Sequence, residues 1–369
     1  MKALFLIDSL GSGGAQRQLT TIAPLLKQKG ISVEVLCYHK NNFFSKPLND
    51  NNIPIHWITP GNYLIRILKI RKFIRSGNYQ AVVSFLDTPD LLNCLAAIGG
   101  HTWKVITSER SAKKEKFNSF RGRLGAWMNR YADIIVCNSE NARQMWVEYY
   151  PQYRKKLVVI YNIVTIPKIH STYHLRKDGK THILVAASYQ SLKNPLRVIE
   201  AVNLLNKDKK QQLTIRWYGS KQAASDGMQL YNKALELVNK YNLHTTIYLN
   251  DASATIVEKM NHADAVGLFS QFEGLPNAIC EGMTLGKPII MSRVSDYDLL
   301  VDEKNGFLCD WNDVDSIKSA LNHILDVNNE QLILMGEYSK VKAKELFGEK
   351  TLTIQWFNVI CDKTNSEKS

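Results

Sequence analysis

One stretch of the chain decides the predicted fold: Glu273-Gly274-Leu275-Pro276-Asn277-Ala278-Ile279-Cys280-Glu281. Apolar runs at residues 265–269 and 289–291 flank it, and each has the length of a short buried strand. Within the stretch, Gly274 is suited to a turn and Pro276 to the first turn of a helix, where a missing N–H costs no hydrogen bond. The sequence therefore predicts a strand, a loop, a helix and a second strand in succession.

The two glutamates of this stretch indicate the kind of ligand. Glu273 falls in the predicted loop, and Glu281 lies about one turn into the predicted helix. The N–H groups at a helix start favour an anion, typically a phosphate. Two carboxylates beside an anion site suit a ligand with both phosphate and hydroxyl groups, and a sugar nucleotide is such a ligand.

The string E-G-L-P-N-A-x-x-E-G-M, followed by G-K-P-I-I, closely resembles the donor site of retaining glycosyltransferases of family four. These enzymes adopt the GT-B fold, in which two doubly wound α/β, Rossmann-like domains face a central cleft. In the family the first glutamate contacts the donor sugar and the second the ribose of the nucleotide. The resemblance therefore implies a catalytic role for Glu273 and ribose binding for Glu281. It covers nearly the whole chain and is strongest over residues 185–308.

The loop after the predicted strand at residues 182–188 supports this resemblance with one departure. In the family it reads roughly G-R-x-x-x-x-K-N, with both cations on the donor diphosphate. Lys193 fits the lysine and is predicted to be catalytic, but Ser188 stands at the arginine position, so half of the charge clamp is missing. The resemblance implies a set of further donor-binding residues: Gly13, Gly14, Ser188, Gly219, Leu249, Gly274, Leu275 and Asn277.

The beginning of the chain allows a different interpretation. Residues 1–7 and 31–38 predict strands around a helix at 15–29, joined by a glycine-rich turn, which is typical of dinucleotide binding. That fingerprint needs a third glycine where this chain has Gln16, and the nearest acidic residue, Glu34, lies inside the second strand. An NAD-dependent oxidoreductase stays as an alternative. The turn also resembles the G-G-A-E/Q turn of family-four chains, in which it faces the donor phosphates and the acceptor.

Polar residues follow other predicted strands of the first half. Asp87 ends the run at residues 80–87, where some relatives carry a histidine; it is predicted as a catalytic or acceptor ligand, with a helix N-cap as the alternative. Glu109 and Arg110 end the next strand, and Asn138 follows the strand after that. We predict these three residues on the acceptor side.

Charge indicates anionic partners. The 369-residue chain has a formal charge of +13 and a pI near 9.3, which favours nucleotides, acidic lipids or nucleic acid. Basic residues alternate with apolar ones at 66–75 and 113–130, a pattern that suits an anionic membrane surface or a solvated helix face. A non-catalytic nucleic-acid-binding protein is a further alternative, but no recognition helix, zinc finger or RNP motif occurs, and we predict no nucleic-acid partner.

The predicted organisation follows from these observations. Residues 1–165 form an acceptor-side domain, 166–180 a linker, 181–345 a nucleotide-sugar domain, and 346–369 a helix that crosses back to the first domain, with a frayed tail. The six scattered cysteines predict reduced core thiols, and Asp8 interrupts the first apolar run too early for a signal peptide. No run approaches the roughly 20 apolar residues of a membrane span.

The predicted reaction is transfer of a hexosyl or N-acetylhexosaminyl group, with retention, from a nucleoside-diphosphate sugar to an acceptor hydroxyl. The resemblance implies no metal and no cofactor beyond the donor substrate. The predicted acceptor is a lipid-linked saccharide of surface-polysaccharide biosynthesis (capsule, O-antigen or exopolysaccharide). The predicted location is cytoplasmic and peripheral on the inner face of the plasma membrane.

Overall fold

The structure is a computed structural model that describes residues 1–11, 13–111, 114–164, 178–222 and 225–362, without the side chain of Glu115. The chain divides into two compact units. Unit 1 comprises Met1–Thr165 and Gly348–Ser369, and unit 2 comprises Ile166–Phe347. Most of the predicted linker and the predicted frayed tail lie outside the described residues.

Unit 1 is built on a parallel seven-stranded sheet with the strand order β3-β2-β1-β4-β5-β6-β7. The buried strands are runs of β-branched and aliphatic residues, which is typical of a sheet covered by helices on both faces. The strands are β1 (Lys2–Ile7), β2 (Ser32–Cys37), β3 (Ile55–Trp57), β4 (Ala81–Ser84), β5 (Lys104–Glu109), β6 (Ile134–Cys137) and β7 (Leu157–Val159).

The helices of unit 1 connect these strands, and several start at side-chain caps. Asn62 accepts hydrogen bonds from two amides at the start of α3, and Ser139 does the same for one amide of α7. These helices are α1 (Gly14–Gln28), α2 (Lys46–Asp50), α3 (Tyr63–Ser76), α4 (Asp87–Ala97), α5 (Lys114–Asn118), α6 (Phe120–Met128) and α7 (Glu140–Tyr149). Short 3₁₀ helices lie at Asn129–Tyr131 and Pro151–Lys156.

Unit 2 repeats the same plan with a parallel six-stranded sheet in the order β10-β9-β8-β11-β12-β13. Its strands are β8 (Thr181–Ala186), β9 (Leu213–Gly219), β10 (Ile247–Asp251), β11 (Ala265–Leu268), β12 (Ile289–Ser292) and β13 (Gly306–Cys309). Its helices are α8 (Pro195–Asn203), α9 (Lys207–Gln212), α10 (Gly227–Lys240), α11 (Ile256–Asn261), α12 (Asn277–Thr284), α13 (Tyr297–Leu300), α14 (Val314–Asp326) and α15 (Asn329–Phe347). A 3₁₀ turn at Ser191–Lys193 precedes α8.

The last helix, α16 (Glu349–Cys361), belongs to unit 1. Its Trp356 is fully buried and stacks on Phe85, with the ring centroids 6.0 Å apart. Leu352 and Ile360 join the same apolar core, which also contains the inward residues of β1 and β2. The unit therefore closes its core with a segment that comes from the far end of the sequence.

The state of the cysteines and the hydropathy of the helices can be compared directly with the sequence predictions. All six cysteines are free thiols, and all but Cys361 are buried, as predicted. Among the helices of the described residues, none combines the length and hydropathy that a bilayer span requires.

Candidate functional site

Both sheets contain a point at which the strand order reverses, and open α/β sheets bind ligands at the carboxyl ends of the strands there. In unit 1 the reversal falls between β1 and β4, and in unit 2 between β8 and β11. The predicted residues Gly13, Gly14 and Asp87 follow the first pair of strands. Lys193 and Glu273 follow the second pair. The topology therefore places these five predicted residues after the carboxyl ends of the strands at which ligands bind in such sheets.

In unit 2, the loops after β8 and β11 meet through Lys193 and Glu273. Lys193 Nζ lies 2.5 Å from Glu273 Oε1, and both side chains are largely buried. Ser270 Oγ donates to the same carboxylate oxygen at 2.7 Å. The backbone amide of Gln271 donates to the carbonyl of Leu192 at 2.8 Å, which joins the two loops a second time. Glu273 is therefore held at a fixed place and next to a cation.

The helix after Glu273 begins one residue later than predicted. Pro276 lies before α12 with extended backbone (ψ 90°), and Asn277 is the first helical residue. The cause is that a proline is compatible with either position, so the sequence could not distinguish them. The carbonyl of Gly274 accepts a hydrogen bond from Ser295 Oγ, and Leu275 is buried. The loop between β11 and α12 is therefore held by the hydrogen bonds of Glu273 and Gly274 and by the burial of Leu275.

Glu281 lies in the second turn of α12 and is buried. The next residue, Gly282, lets α12 pack directly on β11, because an added Cβ there would lie 2.8 Å from a side-chain atom of Val266. Glu281 therefore occupies a fixed position on a helix whose positive end faces the loop of Glu273.

Three further predicted donor residues of unit 2, Ser188, Gly219 and Leu249, lie in or directly after neighbouring strands. Ser188 follows β8, and its Oγ accepts from Gln190 Nε2 at 2.9 Å. Gly219 ends β9 in close contact with it: an added Cβ would lie 2.0 Å from the Ala187 carbonyl oxygen. Leu249 lies within β10, as the predicted strand at residues 247–250 implies, and the last residue of β10, Asp251, pairs in register with Gly219.

Unit 1 contains a cleft of about 1070 Å³ at the carboxyl ends of β1, β4 and β5. Its polar lining includes four carboxylates, one largely buried lysine and two arginines: Asp8, Asp87, Asp90, Glu109, Lys116, Arg66 and Arg121. Its apolar lining includes Tyr63, Phe120 and Leu124 from the helices α3 and α6. A cleft of this size can hold a saccharide, and carboxylates are suitable partners for its hydroxyl groups.

Lys116 organises the charged part of this cleft. Its Nζ lies 2.7 Å from Glu109 Oε2 and also forms an ion pair with Asp87. Burial alone would lower the pKa of Lys116, but the charges of Glu109 and Asp87 outweigh it and hold that pKa above its ordinary value. The neighbouring Phe117 is buried edge-on against Trp146, with ring centroids 5.1 Å apart, which fixes the backbone of α5.

Glu109 is predicted on the acceptor side, and its carboxylate is already engaged within the protein. Oε2 accepts from Lys116 and from Trp146 Nε1 at 3.0 Å. Oε1 accepts from the amide and hydroxyl of Ser111 at 2.9 and 3.0 Å. Because these four bonds use the accepting capacity of a carboxylate, Glu109 serves chiefly to hold Lys116.

Asp87 is the first residue of α4, and the alternative that it caps this helix is wrong. The residue before the helix is Leu86, which has a positive φ of 83°, and the Asp87 carboxylate pairs with Lys116 instead of an amide. The Asp87 side chain remains 68% exposed to solvent. It lines the cleft and is available to a ligand.

Asp90 is a buried residue of the cleft lining, and Arg110 is half-buried in a smaller pocket that shares Asp87 and Lys116 with the cleft. Asp90 Oδ1 accepts from Ser84 Oγ at 2.6 Å and from the Ser108 amide at 3.2 Å. Burial raises the pKa of Asp90 well above its ordinary value, and the charge of Asp87 adds to this. Burial lowers the pKa of Arg110 to about 10, against the opposing charges of Asp90 and Glu109.

Arg110 and Asn138, both predicted on the acceptor side, lie together at the ends of β5 and β6. The backbone N–H of Asn138 donates to the backbone carbonyl of Glu109 at 3.1 Å. Arg110 Nη1 donates to Asn162 Oδ1 at 3.0 Å, and the guanidinium packs 4.7 Å from the ring of Phe85. These contacts indicate a structural role for Arg110 in joining the strand ends to the core.

The glycine-rich turn starts a helix earlier than predicted. Gly14 is the first residue of α1, and Gly13 precedes it with extended backbone. Gln16 Nε2 donates to Asp8 Oδ1 at 2.9 Å, so the residue that replaces the third glycine of a dinucleotide fingerprint ties the turn to the end of β1.

Sequence reasoning missed Lys116 and Ser270. The pattern at residues 113–130 predicts Lys116 on a basic surface face, but its side chain is largely buried and pairs with Glu109. The signal that could have found it is the buried aromatic Phe117 next to it and the acidic Glu109 seven residues earlier. Ser270 lies three residues before Glu273, a spacing at which a hydroxyl can reach back to a loop carboxylate.

Comparison with known families settles the assignment of both units. The family profile described as Glycosyl transferases group 1 matches residues 168–341, and the profile Glycosyltransferase Family 4 matches residues 12–166. The chain belongs to the family-four glycosyltransferases. The family and the GT-B fold predicted from the glutamate stretch are therefore confirmed, and the family is one of glycosyltransferases, not of oxidoreductases.

Two curated relatives and one solved structure illustrate the similarity. A Campylobacter jejuni N-acetylgalactosamine-N,N'-diacetylbacillosaminyl-diphospho-undecaprenol 4-alpha-N-acetylgalactosaminyltransferase is 22% identical over 87% of this chain and 89% of its own. A second C. jejuni enzyme, the GalNAc-alpha-(1->4)-GalNAc-alpha-(1->3)-diNAcBac-PP-undecaprenol alpha-1,4-N-acetyl-D-galactosaminyltransferase, is 23% identical over 99% of this chain and 100% of its own. The Anabaena protein HepE in complex with UDP superposes with a TM-score of 0.83 at 18% identity, over 97% of this chain and 99% of that chain.

Proposed function

We propose that this glycosyltransferase transfers a hexosyl or N-acetylhexosaminyl group from a uridine-diphosphate sugar to a hydroxyl of a lipid-linked saccharide, with retention at the anomeric carbon. The single observation that carries the donor half of this proposal is the contact between Lys193 and Glu273, next to the start of α12. It combines a cation, a carboxylate and a helix N-terminus at the carboxyl ends of two adjacent strands, β8 and β11. These are the groups that a sugar diphosphate requires.

The chemistry follows from the charges. When the bond between the anomeric carbon and the diphosphate breaks, negative charge grows on the phosphate oxygens. Lys193 and the first amides of α12 are the groups that would stabilise this charge, and Glu273 would contact the sugar. Glu281 would bind the ribose hydroxyls. Because Ser188 replaces the second cation of the family pattern, we expect Lys193 to provide most of the side-chain charge.

The acceptor half of the proposal rests on the cleft of unit 1 and on the relatives. The names of both C. jejuni relatives specify diphospho-undecaprenol-linked saccharides. The carboxylates of the unit 1 cleft, Asp87 above all, suit saccharide hydroxyls. We therefore propose a polyprenyl-diphosphate-linked saccharide of surface-polysaccharide biosynthesis as the acceptor, reached from the cytoplasmic face of the membrane.

A thermal-shift panel tests the donor assignment. Wild type and Glu281→Ala are compared with UDP, GDP, ADP and NAD, each at about a hundred times the dissociation constant, where a ligand stabilises a fold by roughly 2.7 kcal/mol. We expect UDP to raise the Tm of the wild type and Glu281→Ala to lose that shift. Stabilisation by NAD alone, or by UDP equally in both proteins, would contradict the proposal.

A further inference from the structure

Unit 2 contains a small cavity whose lining includes none of the predicted donor residues. Its volume is about 170 Å³, and it is lined by residues from within β8 and β9 and from the end of α11. Lys193 and Glu273, in contrast, follow the carboxyl ends of β8 and β11. We call this cavity the basic cavity; its lining residues include His182, Leu184, Arg216, Tyr218, Lys259 and His262.

Arg216 is an unusual residue for the middle of a parallel strand, because such strands are covered on both faces and are mostly apolar. The residues on either side of it, Ile215 and Trp217, alternate to the opposite face and belong to the core of unit 2. In the register of the sheet Arg216 lies between Leu184 of β8 and Tyr248 of β10. Its guanidinium carbon is 4.7 Å from the centroid of the Tyr248 ring. The ring therefore orients a cation on this face of the sheet.

Lys259 of α11 brings a second cation to the basic cavity, and an aromatic ring supports it in the same way. Its Nζ lies 5.3 Å from the centroid of the Tyr218 ring. Tyr218 is two residues after Arg216 and therefore lies on the same face of β9. Arg216 and Lys259 are both partly buried. Within the part of the chain that the structure describes, neither of these two cations forms an ion pair with a carboxylate.

Two carboxylates beside the basic cavity contact His182. Asp178 Oδ2 lies 2.8 Å from His182 Nε2, and Asp264 Oδ2 accepts a hydrogen bond from the backbone N–H of His182 at 2.6 Å. Neither aspartate lines the cavity, and no carboxylate occurs among its described lining residues. The fixed charge that a ligand meets there is therefore positive, and it comes from Arg216 and Lys259.

Two cations in a concave site without a carboxylate suit a compact anion with two negative charges. The guanidinium of Arg216 can bind two oxygens of a phosphate group side by side, and the ammonium of Lys259 adds a point charge. Ring contacts restrict both side chains before binding, which lowers the entropy cost of ordering them. The volume of about 170 Å³ is smaller than the roughly 300 to 1,000 Å³ of pockets for drug-sized ligands. It therefore suits a phosphate group with a small substituent better than a nucleotide.

We propose that the basic cavity binds the phosphate group of a small soluble compound, either inorganic phosphate or a sugar phosphate, through Arg216 and Lys259. This second anion site goes beyond the proposed function, because it lies on a face of the sheet and not at the strand ends. A bound phosphate joins β9 to α11, and α11 leads directly into β11 and the loop of Glu273. Phosphate binding therefore stabilises unit 2 without occupying the donor residues.

A thermal-shift titration with inorganic phosphate tests this site, with sodium chloride of equal ionic strength as the reference. Phosphate can also bind beside Lys193, so Lys193→Gln is titrated as well. We expect Lys193→Gln to keep a phosphate-induced rise in Tm. In Arg216→Gln/Lys259→Gln the apparent Kd for phosphate should increase at least roughly tenfold, as the loss of charge-assisted hydrogen bonds implies. A wild type that does not respond to phosphate, or a response that only Lys193→Gln loses, would overturn the proposal.

The matched control is Lys233→Gln/Lys240→Gln, which removes the same charge from exposed positions of α10. Its response to phosphate should equal that of the wild type, and a loss as large as in the cavity variant would contradict a specific site. Lys259→Gln alone leaves β9 unchanged and should also weaken phosphate binding. This single variant keeps the proposal testable if the double variant does not fold.

Two further ligands identify the source of the phosphate group and separate this inference from the proposed function. Tighter binding of glucose 6-phosphate than of inorganic phosphate would support a sugar phosphate, and equal binding would support inorganic phosphate. The rise in Tm with UDP should be the same in Arg216→Gln/Lys259→Gln as in the wild type. A UDP response that this variant loses would place the basic cavity in the donor site and contradict the inference. A wild type that responds to phosphate but not to UDP contradicts the proposed function alone.

Discussion

Lys193 and Glu273 are eighty residues apart in the sequence, and their side chains meet at 2.5 Å. Each residue follows one of the two adjacent strands, β8 and β11, at which the order of the second sheet reverses. A donor diphosphate that binds Lys193 must compete with the carboxylate of Glu273. We therefore expect donor binding to separate this pair and to leave Glu273 available to the sugar.

The first prediction concerns Glu273. Glu273→Gln keeps the size and the hydrogen bond from Ser270 but removes the charge beside Lys193, so kcat/KM for sugar transfer should fall about 100-fold, as for other single electrostatic contacts in active sites. Glu236→Gln, an exposed position on α10, is the matched control. Donor-dependent turnover at the wild-type rate in Glu273→Gln would show that the site is elsewhere.

The second prediction separates the two ion pairs of Lys116. Lys116→Met leaves the buried Glu109 without its counter-charge and should reduce the free energy of unfolding by about 3 kcal/mol. Asp87→Asn breaks only the more exposed pair and should cost less than about 1 kcal/mol. Urea unfolding at neutral pH measures both. Similar losses in the two variants would mean that Glu109 is not the main partner of Lys116.

The third prediction is a pH dependence caused by Asp90. Its raised pKa means that the folded protein holds a proton that the unfolded chain has already released. This contribution to stability is fully present below the ordinary pKa of about 3.9 and is lost as the pH rises towards the folded-state pKa. Asp90→Asn stays neutral, so its stability relative to the wild type should increase from pH 4 to pH 8. A constant difference in Tm over that range would contradict the assignment.

The fourth prediction concerns the contact between β9 and the loop after β8. In Gly219→Ala the new methyl group meets the backbone carbonyl of Ala187, which cannot turn aside as a flexible side chain would. We expect a loss of about 1 to 3 kcal/mol in stability and a weaker thermal shift with UDP, because Ser188 must move. Gly61→Ala, where an added Cβ has open space, is the control. Two variants with equal Tm values would contradict this packing argument.

The strands and the order of elements were predictable because their signal is local. Runs such as the one in β4 are too short and too apolar for anything but a covered strand, and glycine and proline mark the ends of α1 and α12. The exact starts of α1 and α12 were not predictable, because glycine and proline fit both the residue before a helix and its first turn. The donor-site roles of Glu273, Glu281 and Lys193 rest on the family pattern and stay predictions.

The inward position of Lys116 shows what a sequence cannot provide. The charged and apolar residues on both sides of Lys116 form a pattern that fits a surface helix as well as it fits a helix with an inward-facing lysine. Only the fold brings Trp146, thirty-seven residues from Glu109 along the chain, to the same carboxylate. Because the Glu109 carboxylate is buried, it needs a counter-charge, and the side chain of Lys116 turns inward to provide it.

The burial of Trp356 against Phe85 has a consequence for synthesis on the ribosome. Unit 2 is one continuous segment of the chain and can therefore fold as soon as that segment has left the ribosome. Unit 1 emerges first but has to wait for α16, since Leu352, Trp356 and Ile360 complete its core. During translation the nascent unit 1 therefore carries an open apolar surface for as long as unit 2 is being made, and the half that is translated first is the half that matures last.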